Sequence, residues 1–101
     1  MNFDRVLFSE HAVQRMFSRG ISIDDVMDII QKGEKIAEYP EDSPYPSCTL
    51  LGFVRNIPIH VVLGHHVVLG VDSEHHTGII ITAYVPNPDI WSSDYKTRRR
   101  S

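Results

Sequence analysis

The chain has 101 residues, 42% of them hydrophobic and 23% charged, with a formal net charge of −3 and a single cysteine. This is too apolar for a disordered segment and too short for two cores, so one domain spanning 1–101 is predicted. The composition excludes a disulfide framework, a cysteine-based zinc site and a surface that binds nucleic acid everywhere. No stretch is long and apolar enough to cross a bilayer or to act as a signal peptide, so a cytoplasmic protein with no membrane partner is expected.

Ser9 followed by Glu10-His11-Ala12 reads as an N-cap with an acid in the first turn, and Val13, Met16 and Phe17 recur at helical spacing until Gly20. Helix one is therefore expected over 10–19, with Ala12, Val13, Met16 and Phe17 on its core side. Ser22 caps a second helix over 23–32: Asp24 and Asp25 sit where the helix dipole favours anions, and Ile23, Val26, Met27 and Ile30 make a stripe that ends at Gly33. The two helices are expected to form a hairpin.

Residues 34–39 read as a short strand, and Pro40, Pro44 and Pro46 mark a loop. Strands follow at 49–55 and from 59, with a turn expected at Asn56-Ile57-Pro58. Residues 72–78 look polar and turn-like, and 79–85 form the clearest strand before Pro86 and Pro88 lead into a basic tail over 86–101. The expected architecture is α+β, a two-helix hairpin packed on a three- or four-stranded antiparallel sheet.

Within this plan "HVVLGHHVVLG" (60–70) is a direct repeat. Six residues are an even number in strand period, so His60 and His66 share a face, and roughly 20 Å of strand is added. Residues 65–70 are surplus to a partner strand of 79–85. They must overhang, bulge, fold back or pair with another chain, which makes a homodimer through 60–71 one option. Cys48 reads as a small strand hydrophobe.

Five of the six histidines lie between 60 and 76, but the i, i+2 strand spacing and i, i+4 helix spacing that chelate metals are absent, so no metal or other cofactor is expected. His65 and His66 look like by-products of the repeat, and His75 and His76 like turn residues. Helix one offers His11, Arg15 and Arg19 at i, i+4 and i+8, a strip along one side. An imidazole and two guanidiniums suit a phosphodiester; the competing reading is a solvated helix face paired with Glu10 and the acids of helix two. Thr82 and Tyr84 project from one face of the last strand, followed by Trp91 and Tyr95, which can stack on bases or fill core. Lys96, Arg98, Arg99 and Arg100 crowd the last six residues, which fits a small enzyme with a basic cleft or equally a solvated tail.

"FSEHAVQRMFSRGIS" (8–22), "IPIHVV" (57–62) and "IITAYVPNPDIW" (80–91) resemble the bacterial domain-of-unknown-function family 4258, with its H-A-x-x-R-M-x-x-R opening and I-T-x-Y-x-P closing. That family is similar in layout to small ribonuclease toxins of the RelE, MqsR and BrnT kind. The resemblance implies a barnase-EndoU-colicin-RelE-like fold and a toxin of a type II toxin–antitoxin module, with RNA as substrate and a cognate antitoxin as partner. The matching positions are His11, Arg15, Arg19, His60, Thr82, Tyr84 and Trp91. Family members run straight from the H-V-V strand into an acidic turn, so 65–70 stand out again. The implied reaction is metal-independent RNA cleavage. His11 or His60 takes the 2′-OH proton, Arg15 and Arg19 neutralise the transition state, and Tyr84 orients the phosphate or protonates the leaving oxygen. Arg19, Thr82, Trp91, Lys96, Arg98 and Arg99 bind substrate. The alternative is a non-enzymatic binding module or inactive toxin homologue that engages an antitoxin or itself through its exposed strand.

Overall fold

A computed structural model describes residues 1–99; Arg100 and Ser101 of the expected tail lie outside the described residues. The elements in chain order are β1 (Arg5–Phe8), α1 (Glu10–Ser18), α2 (Ile23–Lys32), β2 (Glu34–Tyr39), β3 (Ser47–Val54), β4 (Ile57–Leu69) and β5 (Glu74–Tyr84). The strands form one sheet in the order β1-β5-β4-β3-β2. The fold is thus α+β, but its sheet has five strands and is mixed rather than three- or four-stranded and antiparallel. The added strand is β1, which pairs parallel to β5 from Arg5 opposite Thr77 to Phe8 opposite Ile80. Four half-exposed residues carry too little pattern to announce a strand.

Both helices begin as their caps dictate. The Ser9 hydroxyl accepts the Ala12 N–H at 3.0 Å, and Ser22 and Asp25 form a reciprocal capping box. Gly20 turns the chain between them at φ +71°, a left-handed conformation that suits glycine. The expected hairpin is matched only roughly, because the helices seat on different strands: α1 lies on β5 and α2 on β3. The core side of α1 is also narrower than its periodicity suggests. Ala12 and Met16 are buried, whereas Val13 is partly open and Phe17 is 86% exposed. A short helix resting on one strand near the sheet edge buries a single i, i+4 row.

Under the helices, Leu50, Val61 and Ala83 make one cross-strand row and Cys48, Leu63 and Ile80 the next, all buried. Each such side chain contributes roughly 1.5–3 kcal/mol for full burial if large and aliphatic, so these rows with Met16, Val26, Ile29 and Ile30 hold the layers together.

The turn before β4 is shorter than expected. Arg55 and Asn56 have φ of 50° and 66°, the two left-handed positions of a type I′ hairpin, and Ile57-Pro58 already belong to β4. Pro58 is tolerated there because β5 stops at Tyr84, opposite His60, and leaves that edge of β4 free.

The repeat finds partners within the chain. β5 begins at Glu74 rather than Ile79, so His65 to Leu69 pair with Gly78 to Glu74 in a projecting ribbon. Residues 74–78, expected as turn, are strand. The strands are joined between Leu69 and Glu74, and Gly70 N–H donates to Ser73 O at 2.8 Å.

Gly52 supports the α2 packing by its lack of a side chain: an added Cβ would stand 2.5 Å from Ile29 Cγ1 and 3.1 Å from its Cβ. Gly52→Ala should therefore lower stability by about 1–3 kcal/mol in urea unfolding. In the double variant with Ile29→Ala the cost should fall well below the sum of the singles; additive costs would show that this contact is not the cause.

Candidate functional site

β4 and β5 pair residue for residue except at one place. Val62 lies opposite Thr82 and Leu63 opposite Ile80, so Ile81 is an extra residue on β5. This bulge shifts the alternation of β5. His75, Thr77 and Ile79 occupy the face away from the helices before it, and Thr82 and Tyr84 occupy the same face after it, beside His60 and Val62.

His60 stands at the centre of one end of this face and is fully buried. Its Nε2–H donates to the backbone oxygen of Tyr95 at 2.7 Å, which leaves Nδ1 as the acceptor for the Tyr84 hydroxyl at 3.2 Å. The rings of Trp91 and Tyr84 meet it edge-on, with centroids 4.5 and 5.3 Å away. Burial pushes the His60 pKa down, partly opposed by the Tyr95 carbonyl, and burial pushes the Tyr84 phenol up.

The cover over His60 is the tail. Pro86 is buried, and the chain then turns at Asn87 and folds back so that Trp91 bridges to Arg98. Tyr95, at the tip with φ 62°, presents its carbonyl to His60 and its ring edge to Phe53. This carbonyl is a contact that side-chain chemistry in the sequence could not announce; the only hint is Asp94, whose carboxylate accepts from Ser92 Oγ and Lys96 N and so shapes the turn.

The tail cations are largely engaged. The Arg98 guanidinium lies 5.4 Å from the Trp91 ring centroid, Lys96 pairs with Glu34 at 3.1 Å, and Arg99 Nε donates to the carbonyls of Pro88 and Trp91.

The strip on α1 is exposed. Arg15 Nε donates to His11 Nε2 at 2.8 Å, an arrangement in which the neutral imidazole carries its proton on Nδ1. One turn on, Arg19 Nη1 reaches Thr82 Oγ1 at 3.3 Å and the Ala83 carbonyl at 2.9 Å, at the stretch of β5 that β1 leaves uncovered. The structure thus joins Arg19 to Thr82 and joins His60, Tyr84 and Trp91 to one another. His11 contacts Arg15 and does not touch His60.

The remaining histidines lie on the ribbon, with His75 and His76 inside β5 rather than in a turn. His65 Nε2 and His76 Nδ1 share a hydrogen bond of 2.8 Å, and His76 Nε2 lies 3.3 Å from Glu74. Burial, with His76 close by, pushes the His65 pKa down.

A family model described as "Domain of unknown function (DUF4258)" matches residues 8–85. No curated protein and no solved structure matches the chain. Among the described residues, no helix is long and apolar enough to cross a membrane.

His60 and His65 both have pKa values below the ordinary imidazole value, so the folded chain binds fewer protons at these sites than the unfolded chain. Stability should be fully present above the ordinary range near 6.5 and decline as pH falls through it towards the lower folded values. A falling melting temperature from about pH 7.5 to 5, with a matching change in Trp91 fluorescence, is expected, and His60→Gln should flatten the fluorescence change. An unchanged slope in that variant would assign the effect elsewhere.

Proposed function

The chain belongs to the DUF4258 family, and on that premise we propose that it is an endoribonuclease, the toxin of a toxin–antitoxin pair, cutting RNA with its own side chains. The observation that carries this reading is the contact of Arg19 with Thr82 and the Ala83 carbonyl. It ties the polar strip of α1 to the end of β5 that bears Tyr84. In this reading imidazole, guanidinium, hydroxyl and phenol meet the substrate from either side of that strand end, a set suited to in-line attack on a phosphodiester.

His11 is the base, since it is exposed while His60 is covered by Trp91 and Tyr95. Its Nε2 gives up the Arg15 contact and takes the proton of the ribose 2′-OH as that oxygen attacks phosphorus. Arg15 and Arg19 hold the non-bridging oxygens. The bond from phosphorus to the 5′ oxygen breaks, and Tyr84, held in place by His60 until substrate engages it, protonates the leaving group. The products are a 2′,3′-cyclic phosphate and a 5′-OH, and solvent returns the proton from His11 to Tyr84. His60 is a positioning residue in this scheme, and Trp91 with Arg98 offers a stacking and charge contact beside it.

A second reading is favoured by the ribbon tip. Val67, Val68, Leu69 and Val71 are exposed there, Leu69 at 77% and Val71 fully. An apolar projecting strand pair is a surface for an antitoxin or for a second copy of this chain, and a chain that serves only to bind would need nothing more.

Purified protein should cleave single-stranded RNA to cyclic-phosphate ends, with His11→Ala slowing the reaction by about 10²- to 10⁴-fold. Arg15→Ala and Arg19→Ala should slow it as well, and expression of the wild type should arrest growth unless the antitoxin is present. Absence of cleavage at every salt concentration, or a His11→Ala/Arg15→Ala double variant as active as wild type, would overturn the ribonuclease. Light scattering tests the second reading: a dimer that becomes a monomer on Val68→Lys supports self-association, and a wild-type monomer removes it.

A further inference from the structure

The sheet face that carries His60 and Tyr84 continues along the ribbon. Alternation keeps Val62, Gly64, His66 and Val68 on that face of β4, and Thr82, Ile79, Thr77 and His75 lie across from them on β5. The tail covers only the His60 end. At the other end lies a groove of about 410 Å³, within the size range of small-ligand sites, bordered by Arg5, Tyr45, His66, Val68, His75 and Ile79.

Three features give this groove a chemical preference. The first is a flat, supported ring surface: Tyr45 stacks on His66 with centroids 4.7 Å apart and planes tilted by 32°. Tyr45 lies over Gly64, where an added Cβ would meet Tyr45 Cδ2 at 3.4 Å, an ordinary van der Waals contact. Its loop is tied down by the His65 N–H, which donates to Pro46 O at 2.9 Å. The second is Arg5, which forms no ion pair or side-chain hydrogen bond among the described residues. The third is the placement of the acid that also borders the groove: Asp4 Oδ2 accepts the His76 backbone N–H at 2.6 Å, which holds the carboxylate against β5.

A ring platform with an apolar floor and a free guanidinium is complementary to a planar heterocycle bearing a phosphate. We propose that the groove holds a nucleotide of a single-stranded RNA whose strand runs along this face from the Tyr84 end, the base stacked on the Tyr45 ring that His66 supports and its phosphate on Arg5. This deepens the ribonuclease reading by adding a substrate subsite remote from the cut. From His60 to His66 is six strand residues, roughly 20 Å. That distance spans roughly six nucleotides at the ~3.4 Å stacked spacing, and fewer if the strand is drawn out. A chain of that length touches both ends; a dinucleotide does not.

The test uses the full chain and fluorescein-labelled 2′-O-methyl oligonucleotides, which cannot undergo 2′-OH attack, with binding read by anisotropy. Affinity should rise steeply from dinucleotide to octanucleotide. Tyr45→Ala and Arg5→Ala should each weaken the octanucleotide by about tenfold or more, and Tyr45→Phe should bind as wild type does. Circular dichroism identifies any variant that has lost its fold, and Tyr45→Phe and Arg5→Ala, which leave the loop ring in place, then decide alone. Equal affinities for dinucleotide and octanucleotide, or Tyr45→Ala and Arg5→Ala variants that bind the octanucleotide as wild type does, would overturn the subsite. So would adenosine monophosphate binding as tightly as the octanucleotide, which would mark a free-nucleotide pocket. Because the probes cannot be cut, Tyr45-dependent binding by a chain that cleaves no RNA would sink the ribonuclease and keep the groove, and cleavage without Tyr45-dependent binding would do the reverse.

Discussion

Ile81 has no partner on β4, so β5 carries one residue more than the strand beside it, and this fixes which side chains share a surface. With uninterrupted alternation after Ile79, Ile81 and Ala83 would fall beside Val62 and His60, and Tyr84 would turn towards the helices. With the bulge, Ile80 and Ala83 both go into the core, and Thr82 and Tyr84 join His60 on the other side. The candidate site, the seat of Trp91 and the continuous face towards His66 all depend on that single unpaired residue.

The two sides of the sheet are covered by different means. Helices cover one side, with Met16, Val26, Ile29 and Ile30 over the buried strand rows, and the contact there is apolar. The other side is covered at its His60 end by a tail that docks through a polar contact, the His60 Nε2 to Tyr95 carbonyl hydrogen bond, inside a shell of aromatic rings. A buried imidazole with both nitrogens satisfied is a specific anchor, because moving the tail leaves a donor without its acceptor. The same contact makes this end of the face sensitive to protonation, whereas the strip on α1 stays open to solvent.

The six-residue repeat belongs to the same geometry. An even insertion keeps His60 and His66 on one side and lengthens the hairpin beyond β1 and β3. The core is untouched, and the cost is an exposed apolar tip. The gain is a longer open face, with Tyr45 lying over Gly64 where the extension starts.

Much of this was legible in the sequence for reasons that are local. Caps at Ser9 and Ser22, glycine at 20 and the alternation of the strands act within a few residues, so helix positions, the α+β class and the shared face of His60 and His66 could be read directly. Of the expected α2 stripe only Val26 and Ile30 are buried, Ile23 and Met27 are exposed, and Ile29 takes their place in the core. What stayed hidden depends on partners distant in sequence. β1 is a strand only because β5 lies beside it, β5 starts at Glu74 only because the lengthened β4 offers it partners, and Phe17 is exposed because α1 rests on one strand. The sequence by itself determined the residue types of the candidate site, His11, Arg15, Arg19, His60, Thr82, Tyr84 and Trp91, and the local periods that carry them. Only the tertiary structure decided that Arg19 meets Thr82, that His60 lies beneath the tail while His11 stands open, and that Tyr45 and Arg5 border the far groove, because hydrogen-bond register, a one-residue bulge and chain return are settled between segments and not within them.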